Sequence, residues 1–163
     1  MRASGLLTLC VSALAWAGTA ASFSVRPQAR VPNCPPRPAT LSQQRAILGQ
    51  FMQAFYVERN ATKALLNHVS EDYIQHNPNA LSGRQNTLEV LAPVLGSGAL
   101  NFTLLRQAFD NNVAFIHYRM DLAAGGEPSA VVDVFRFDGT CIMEHWDVIQ
   151  TRDPSSINPL ALF

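Results

Sequence analysis

From position 101 to 150 this 163-residue chain carries four β-rich segments in close succession: 101–109, 113–122, 129–137 and 141–150. Asp110-Asn111-Asn112, a loop centred on Gly125-Gly126, and Asp138-Gly139-Thr140 separate them. Runs of β-branched and aromatic residues broken by such turn clusters predict an antiparallel meander. A meander must bury one face, and the preceding segments can cover it. A helix starts at Thr40 or Ser42, both good N-caps, with Ile47, Phe51 and Phe55 four apart and Leu48 and Met52 beside them. It is expected to close near Asn60, and a short second helix spans 62–69. Residues 73–76 read as an extended piece broken by Asn77-Pro78. A third helix follows Ser82-Gly83, with Leu88, Leu91, Ala92 and Leu95 on one side, and ends at Gly96 and Gly98. Helices first and strands afterwards define an α+β class, with helices against one face of a curved sheet.

The ends of the chain read differently. Arg2 followed by an apolar or small-residue run over 5–17 and then Gly18-Thr19-Ala20-Ala21 has the pattern of a cleavable signal peptide, and the run is too short for a membrane span. The expected organisation is a leader at 1–21, a Pro-rich extended arm at 22–40, a folded domain at 41–150 and an irregular tail at 151–163. The predicted destination is the secretory pathway or the extracellular space. Sequons at Asn60-Ala61-Thr62 and Asn101-Phe102-Thr103 make Asn60 and Asn101 candidate glycosylation sites. Loss of Cys10 with the leader leaves Cys34 and Cys141, which either form a disulfide or remain two free thiols. Formal net charge is zero, so there is no basic stripe for nucleic acid and no charge run for an anionic membrane surface. A hydrophobic content of 48% is enough for one real core.

Candidate chemistry lies with His76, His117, Asp133, His145 and Asp147. Side chains alternate along a strand, so His145 and Asp147 share a face, and Asp133 shares one with Val131 and Phe135. If the last turn is the three-residue loop Asp138-Gly139-Thr140, Asp133 lies opposite His145. A two-residue loop would shift the register by one and put them on opposite faces. A symmetric loop about Gly125 would set His117 opposite Asp133, making a row of His117, Asp133 and His145. Ionisable groups in apolar strands are costly unless paired or functional. A carboxylate in an apolar cavity beside a histidine suits proton removal next to a carbonyl, with no metal or organic cofactor. The same pair could instead be purely structural. The three histidines lack the HxH or HExxH spacing of a zinc site, and there is no GxSxG elbow, Walker loop or dinucleotide fingerprint. His68 reads as part of a solvated helix face, and Tyr118 and Trp146 as core or cavity wall.

Val131-Val132-Asp133-Val134-Phe135-Arg136 and Glu144-His145-Trp146-Asp147-Val148-Ile149-Gln150, supported by 73–78 and Gly83-Arg84, resemble SnoaL-like polyketide cyclases of the NTF2-like superfamily over about 42–150. The resemblance implies a cystatin-like, cone-shaped antiparallel sheet wrapped around N-terminal helices and enclosing a hydrophobic pocket. It also implies cofactor-free acid/base catalysis, with Asp147 as general acid/base, His145 beside it and Asp133 in a pocket-lining position. His76, His117 and Tyr118 would contact the ligand, a small hydrophobic molecule such as a polyketide of secondary metabolism, and a homodimer is expected. Two other functions fit the same pocket: a non-catalytic carrier of a hydrophobic molecule, and a hydrolase of an epoxide or lactone.

Overall fold

The computed structural model describes residues 31–163. The expected leader and the first part of the Pro-rich arm lie outside the described residues. Helix α1 (Leu41–Met52) begins at a capping box: Thr40 Oγ1 accepts from the Gln43 backbone N–H and the Gln43 side chain accepts from the Thr40 N–H. Such a cap contributes about 1 kcal/mol. Ile47, Leu48, Phe51 and Met52 form its buried stripe. The helix then widens into a π-helical turn, Gln53–Val57, before stopping near Arg59, whose φ is 53°. The wider turn keeps Tyr56 buried and Phe55 against the core, although they are adjacent in sequence. Helix α2 (Ala61–His68) is capped by Asn60, whose Oδ1 accepts from the Lys63 N–H at 2.8 Å. His68 is not on a solvated face. It is buried edge-on against Phe51, with its Nδ1 2.7 Å from Asn33 Nδ2. Position in the last turn of a short helix, against the returning arm, overrides its polar neighbours in sequence.

Five strands form one open sheet in the order β1-β5-β4-β3-β2. They are β1 (Val69–Gln75), β2 (Leu100–Asp110), β3 (Val113–Leu122), β4 (Ser129–Asp138) and β5 (Cys141–Thr151). The 2-3-4-5 meander is antiparallel as expected, whereas β1 pairs with β5 in parallel. Helix α3 (Arg84–Gly96) follows β1 and packs against α2 and β1. Strict alternation in β4 sends Val131, Asp133, Phe135 and Phe137 inward and leaves Val132, Val134 and Arg136 half-buried on the other face. Phe51, Leu65, Val69, Ile116, Val131 and Ile142 are among the fully buried side chains where helices meet sheet.

The register differs from expectation at both late turns. Asp138 pairs with Cys141, so the last loop is the two-residue Gly139-Thr140. That turn alone would place Asp133 opposite Trp146. A bulge intervenes, because Phe137 pairs with Ile142 while Arg136 pairs with Glu144, leaving Met143 as the extra residue. The bulge restores parity: Phe135 faces His145, Asp133 faces Asp147, and the three ionisable groups stay on the inner face. At the preceding turn Ile116 pairs with Asp133, and His117 pairs with Val132 on the outer face. The expected row through His117 is therefore off by one residue.

The arm from Val31 is extended, but it docks on the β4–β5 turn. Cys34 is bonded to Cys141, whose side chain is sealed from solvent. Thr140 N–H donates to Arg37 O at 2.9 Å, Thr140 Oγ1 donates to Asn33 O at 2.5 Å, and Asn33 N–H donates to Asn67 O at 2.7 Å. Gly139 makes this approach possible. Its φ is +49°, and a Cβ there would lie 1.9 Å from Arg37 O.

Candidate active site

A cavity of about 260 Å³ lies between the inner face of the sheet, the end of α1 and helix α3. Its walls are apolar: Phe51 and Phe55 from the α1 end, Leu91 and Leu95 from α3, and Phe102 and Met120 from the meander. Polar groups gather on one side, where β1, β4 and β5 run together. Asp133, His145, Asp147, Gln75, Tyr73 and Asn77 all face the space.

His145 is held by its neighbours. The imidazole stacks on Phe135 at 4.7 Å and lies parallel to Tyr73 at 6.5 Å. The parallel β1–β5 register sets Gln75 beside it, and Gln75 Oε1 lies 2.8 Å from His145 Nδ1. The same Oε1 accepts the Asn77 backbone N–H at 3.0 Å. His145 Nε2 is buried, 3.3 Å from Asp133 Oδ1. That contact is close enough for an ion pair but not aligned as a hydrogen bond, and Nε2 has no hydrogen-bond partner among the described residues. Alignment is the stricter criterion for a bond, so the Nε2 position remains unshared. Gln75, rather than Asp133, orients the ring.

Asp133 is only 4% exposed. Its Oδ2 accepts from the Tyr56 hydroxyl, and Tyr118 faces the same carboxylate. Burial, followed by the charge of Asp133, pushes the Tyr56, Tyr73 and Tyr118 phenols well above the ordinary value, so all three remain donors. Asp147 is half-buried and accepts from Asn77 Nδ2 at 2.5 Å. One atom each from Asp133, His145 and Asp147 lies within 4.8 Å of the others. These are also ligand types that a divalent cation accepts.

Asp133, His145, Asp147 and Tyr118 thus meet at the cavity. His76 and His117 do not. His76 stacks on Trp146 at 4.7 Å and bonds to Glu144 at 2.8 Å, and Arg136 bonds to the same carboxylate at 2.7 Å. These two partners hold the Glu144 carboxyl below its usual range, His76 contributing first. This cluster lies on the opposite face of β5 from His145, because residues 144 and 146 alternate with 145 and 147. His117 lies beside Arg106 at 3.0 Å on the outer face. Asn60 and Asn101 are both exposed, at the start of α2 and on β2.

Gln75, Asn77, Tyr73 and Tyr56 are not among the residues that sequence pattern alone singles out. Alternation from Tyr73 would have found Gln75 and Asn77 on one face and assigned His76 to the other. No comparable signal marks Tyr56, whose inward aim depends on the π-helical turn.

Residues 48–145 match the family model of the SnoaL-like domain, and the chain belongs to that family. Among curated proteins no sequence matches it. Solved structures share the fold at low identity. An NTF2-like protein of unknown function from Mesorhizobium loti is 18% identical with a TM-score of 0.59, covering 70% of this chain and 97% of its own. A provisionally named ketosteroid isomerase from Kribbella flavida is 16% identical with a TM-score of 0.58, covering 76% and 89%. A provisionally named polyketide cyclase from Acidithiobacillus ferrooxidans is 15% identical with a TM-score of 0.52, covering 66% and 88%. The architecture is that of an NTF2-like α+β protein with a curved, unclosed five-stranded sheet.

Proposed function

We propose that this chain is a secreted, glycosylated SnoaL-like enzyme, a cofactor-independent cyclase or isomerase acting on a small, largely apolar carbonyl compound of the polyketide type. The observation that carries this reading is the convergence of Asp133, His145 and Asp147 within 4.8 Å on one side of an apolar cavity. Family membership supports the class, and the Arg2-led apolar leader with the Cys34–Cys141 bond supports secretion.

Asp147 is the general base. Asn77 occupies one of its oxygens, and the other accepts a proton from the carbon next to the substrate carbonyl. The C–H electron pair passes into an enolate. That enolate either closes on a second carbonyl of the same molecule, or is reprotonated at another carbon by the proton Asp147 took. In the closing branch the new alkoxide takes up the proton that Asp147 removed, relayed by His145 Nε2 with Asp133 behind it, and the base is restored.

The test is α-proton exchange. Incubated in D₂O with a panel of aryl 1,3-diketones and methyl ketones, the wild-type protein should speed deuterium incorporation, read by NMR. Asp147→Asn should lose about 10²-fold or more of that rate with its fold unchanged. A protein that binds panel members yet exchanges none of their α-protons is a hydrophobic-ligand carrier, and the enzyme reading fails.

A further inference from the structure

His145 meets the cavity with a nitrogen that its protein neighbours leave unmatched. A backbone N–H can only donate, so the Gln75 atom facing the Asn77 N–H at 3.0 Å is the amide oxygen. The same oxygen lies 2.8 Å from His145 Nδ1, so Nδ1 carries a hydrogen and donates it. In the neutral ring Nε2 is then a bare lone pair. It sits on a side chain only 10% exposed and has no hydrogen-bond partner among the described residues. It is aimed at another acceptor, Asp133 Oδ1, 3.3 Å away. Asp147 completes a group whose three ligand atoms lie within 4.8 Å of one another. Each member is steadied from behind: Nδ1 by Gln75, Asp133 Oδ2 by the Tyr56 hydroxyl, and Asp147 Oδ2 by the Asn77 amide. A histidine oriented through its other nitrogen, beside hydrogen-bonded carboxylates, has the outer support that metal centres use.

We propose that His145 Nε2, Asp133 Oδ1 and an Asp147 oxygen form a site for a single zinc-class divalent cation, and that the cation shuts off proton transfer by taking the same atoms. The inference rests on the acid/base reading of the cavity and adds a regulator to it. Ligands about 2.0–2.1 Å from a tetrahedral zinc stand about 3.3 Å apart, which is the separation of Nε2 and Oδ1. Asp147 is half-buried, and a movement of its carboxylate by about 1.5 Å at most closes the remaining side. Two carboxylates cancel the double charge, as burial in an apolar cavity requires. One imidazole nitrogen and two carboxylate oxygens suit zinc and its neighbours, whereas magnesium and calcium favour larger, all-oxygen sets. The Tyr73 hydroxyl and the Gln75 amide N–H groups line the same cavity as donors rather than ligands. They suit the water that fills the fourth position of an open zinc centre. With a cation on Nε2 and both carboxylates, no base is free to take the substrate proton.

The test titrates zinc chloride into chelator-stripped protein, by calorimetry and in competition with a chromogenic chelator of micromolar affinity. The wild type should bind one zinc per chain, and cobalt in its place should give the intense visible bands of a four-coordinate site. His145→Ala, Asp133→Asn and Asp147→Asn should each weaken zinc binding at least about tenfold. Gln75→Leu, which removes only the support behind Nδ1, should weaken it by about 10- to 100-fold. Asp147→Asn is nearly isosteric, and retained near-ultraviolet circular dichroism certifies the fold of each variant. His76→Ala, which dismantles the outer His76–Glu144 pair, should leave zinc binding unchanged. Deuterium exchange should run in the stripped protein and stop when the site is filled. A wild type that binds no zinc overturns the proposal, as does binding indifferent to Asp147→Asn or lost in His76→Ala. Exchange that continues at zinc saturation overturns it too. The two readings fail separately: zinc binding with no exchange in the stripped protein keeps the site and removes the enzyme, and exchange without zinc binding does the opposite.

Discussion

All three tyrosines of the chain, Tyr56, Tyr73 and Tyr118, surround Asp133, and each is no more than 6% exposed. Their alkaline titration tests the electrostatics of the cavity directly. Each phenol is raised above the ordinary value of 10.0, by burial first and then by the Asp133 charge. A raised folded-state value means the native protein binds more protons than the unfolded chain once the pH exceeds 10. The stabilisation is therefore complete below pH 10 and is lost as pH climbs from there toward the folded values. Each phenol contributes a slope of about 1.4 kcal/mol per pH unit, and three together give about 4. A domain with a total stability of about 5–15 kcal/mol exhausts that reserve within a few pH units. Urea unfolding at stepped alkaline pH should show this slope. Near-ultraviolet phenolate absorbance should stay flat through pH 10 in the folded protein, then rise in one step together with loss of the aromatic circular dichroism. In concentrated urea all three should titrate near 10. A folded protein that develops phenolate absorbance near pH 10, with stability unchanged, would refute the buried donor shell.

Other expectations follow from the arm, the turn and the outer face. Replacing Cys34 and Cys141 together by Ser reopens a loop of 107 residues and should cost about 3–5 kcal/mol in denaturant unfolding. Gly139→Ala puts a methyl group against Arg37 O at a left-handed backbone position, and should lower stability by about 1–3 kcal/mol and expose the arm to proteolysis. His76→Ala and His117→Ala, both outside the cavity, should leave deuterium exchange within about twofold of wild type; a larger loss of rate would mean that the outer face serves the reaction.

The meander was legible because its turns are written in Asp, Asn and Gly and its strands in branched and aromatic residues. Its bounds differ from expectation by a residue or so, as at Leu100 and Asp138. Helix α1 was legible from Ile47, Phe51 and Phe55, but its π-helical end was not, because Gln53–Val57 contains no Pro or Gly to announce a change of pitch. Asp133, His145 and Asp147 were legible as a set, yet by a route the structure does not take. The expected three-residue loop is a two-residue loop plus a bulge at Met143, and both solutions send the same side chains inward. His117 shows the opposite case, where a single residue in the β3–β4 register moves a histidine to the other face. Turn length and bulges depend on cross-strand packing, which a single sequence does not display.

The parallel pairing of β1 with β5 has a temporal consequence. The strand that carries Gln75 is the first of the five described strands, whereas its neighbour, carrying His145 and Asp147, is the last of them. Cys34 likewise waits for Cys141. During synthesis the helices and the 2-3-4 hairpins can form from local contacts, but the long-range closure must await the final segment. Until then β4 presents an unpaired edge. Imidazole orientation, the second carboxylate and the covalent staple therefore arrive together, with β5. Truncation at Gly139-Thr140, ahead of β5, would remove the reactive centre and the lock on the fold in one stroke.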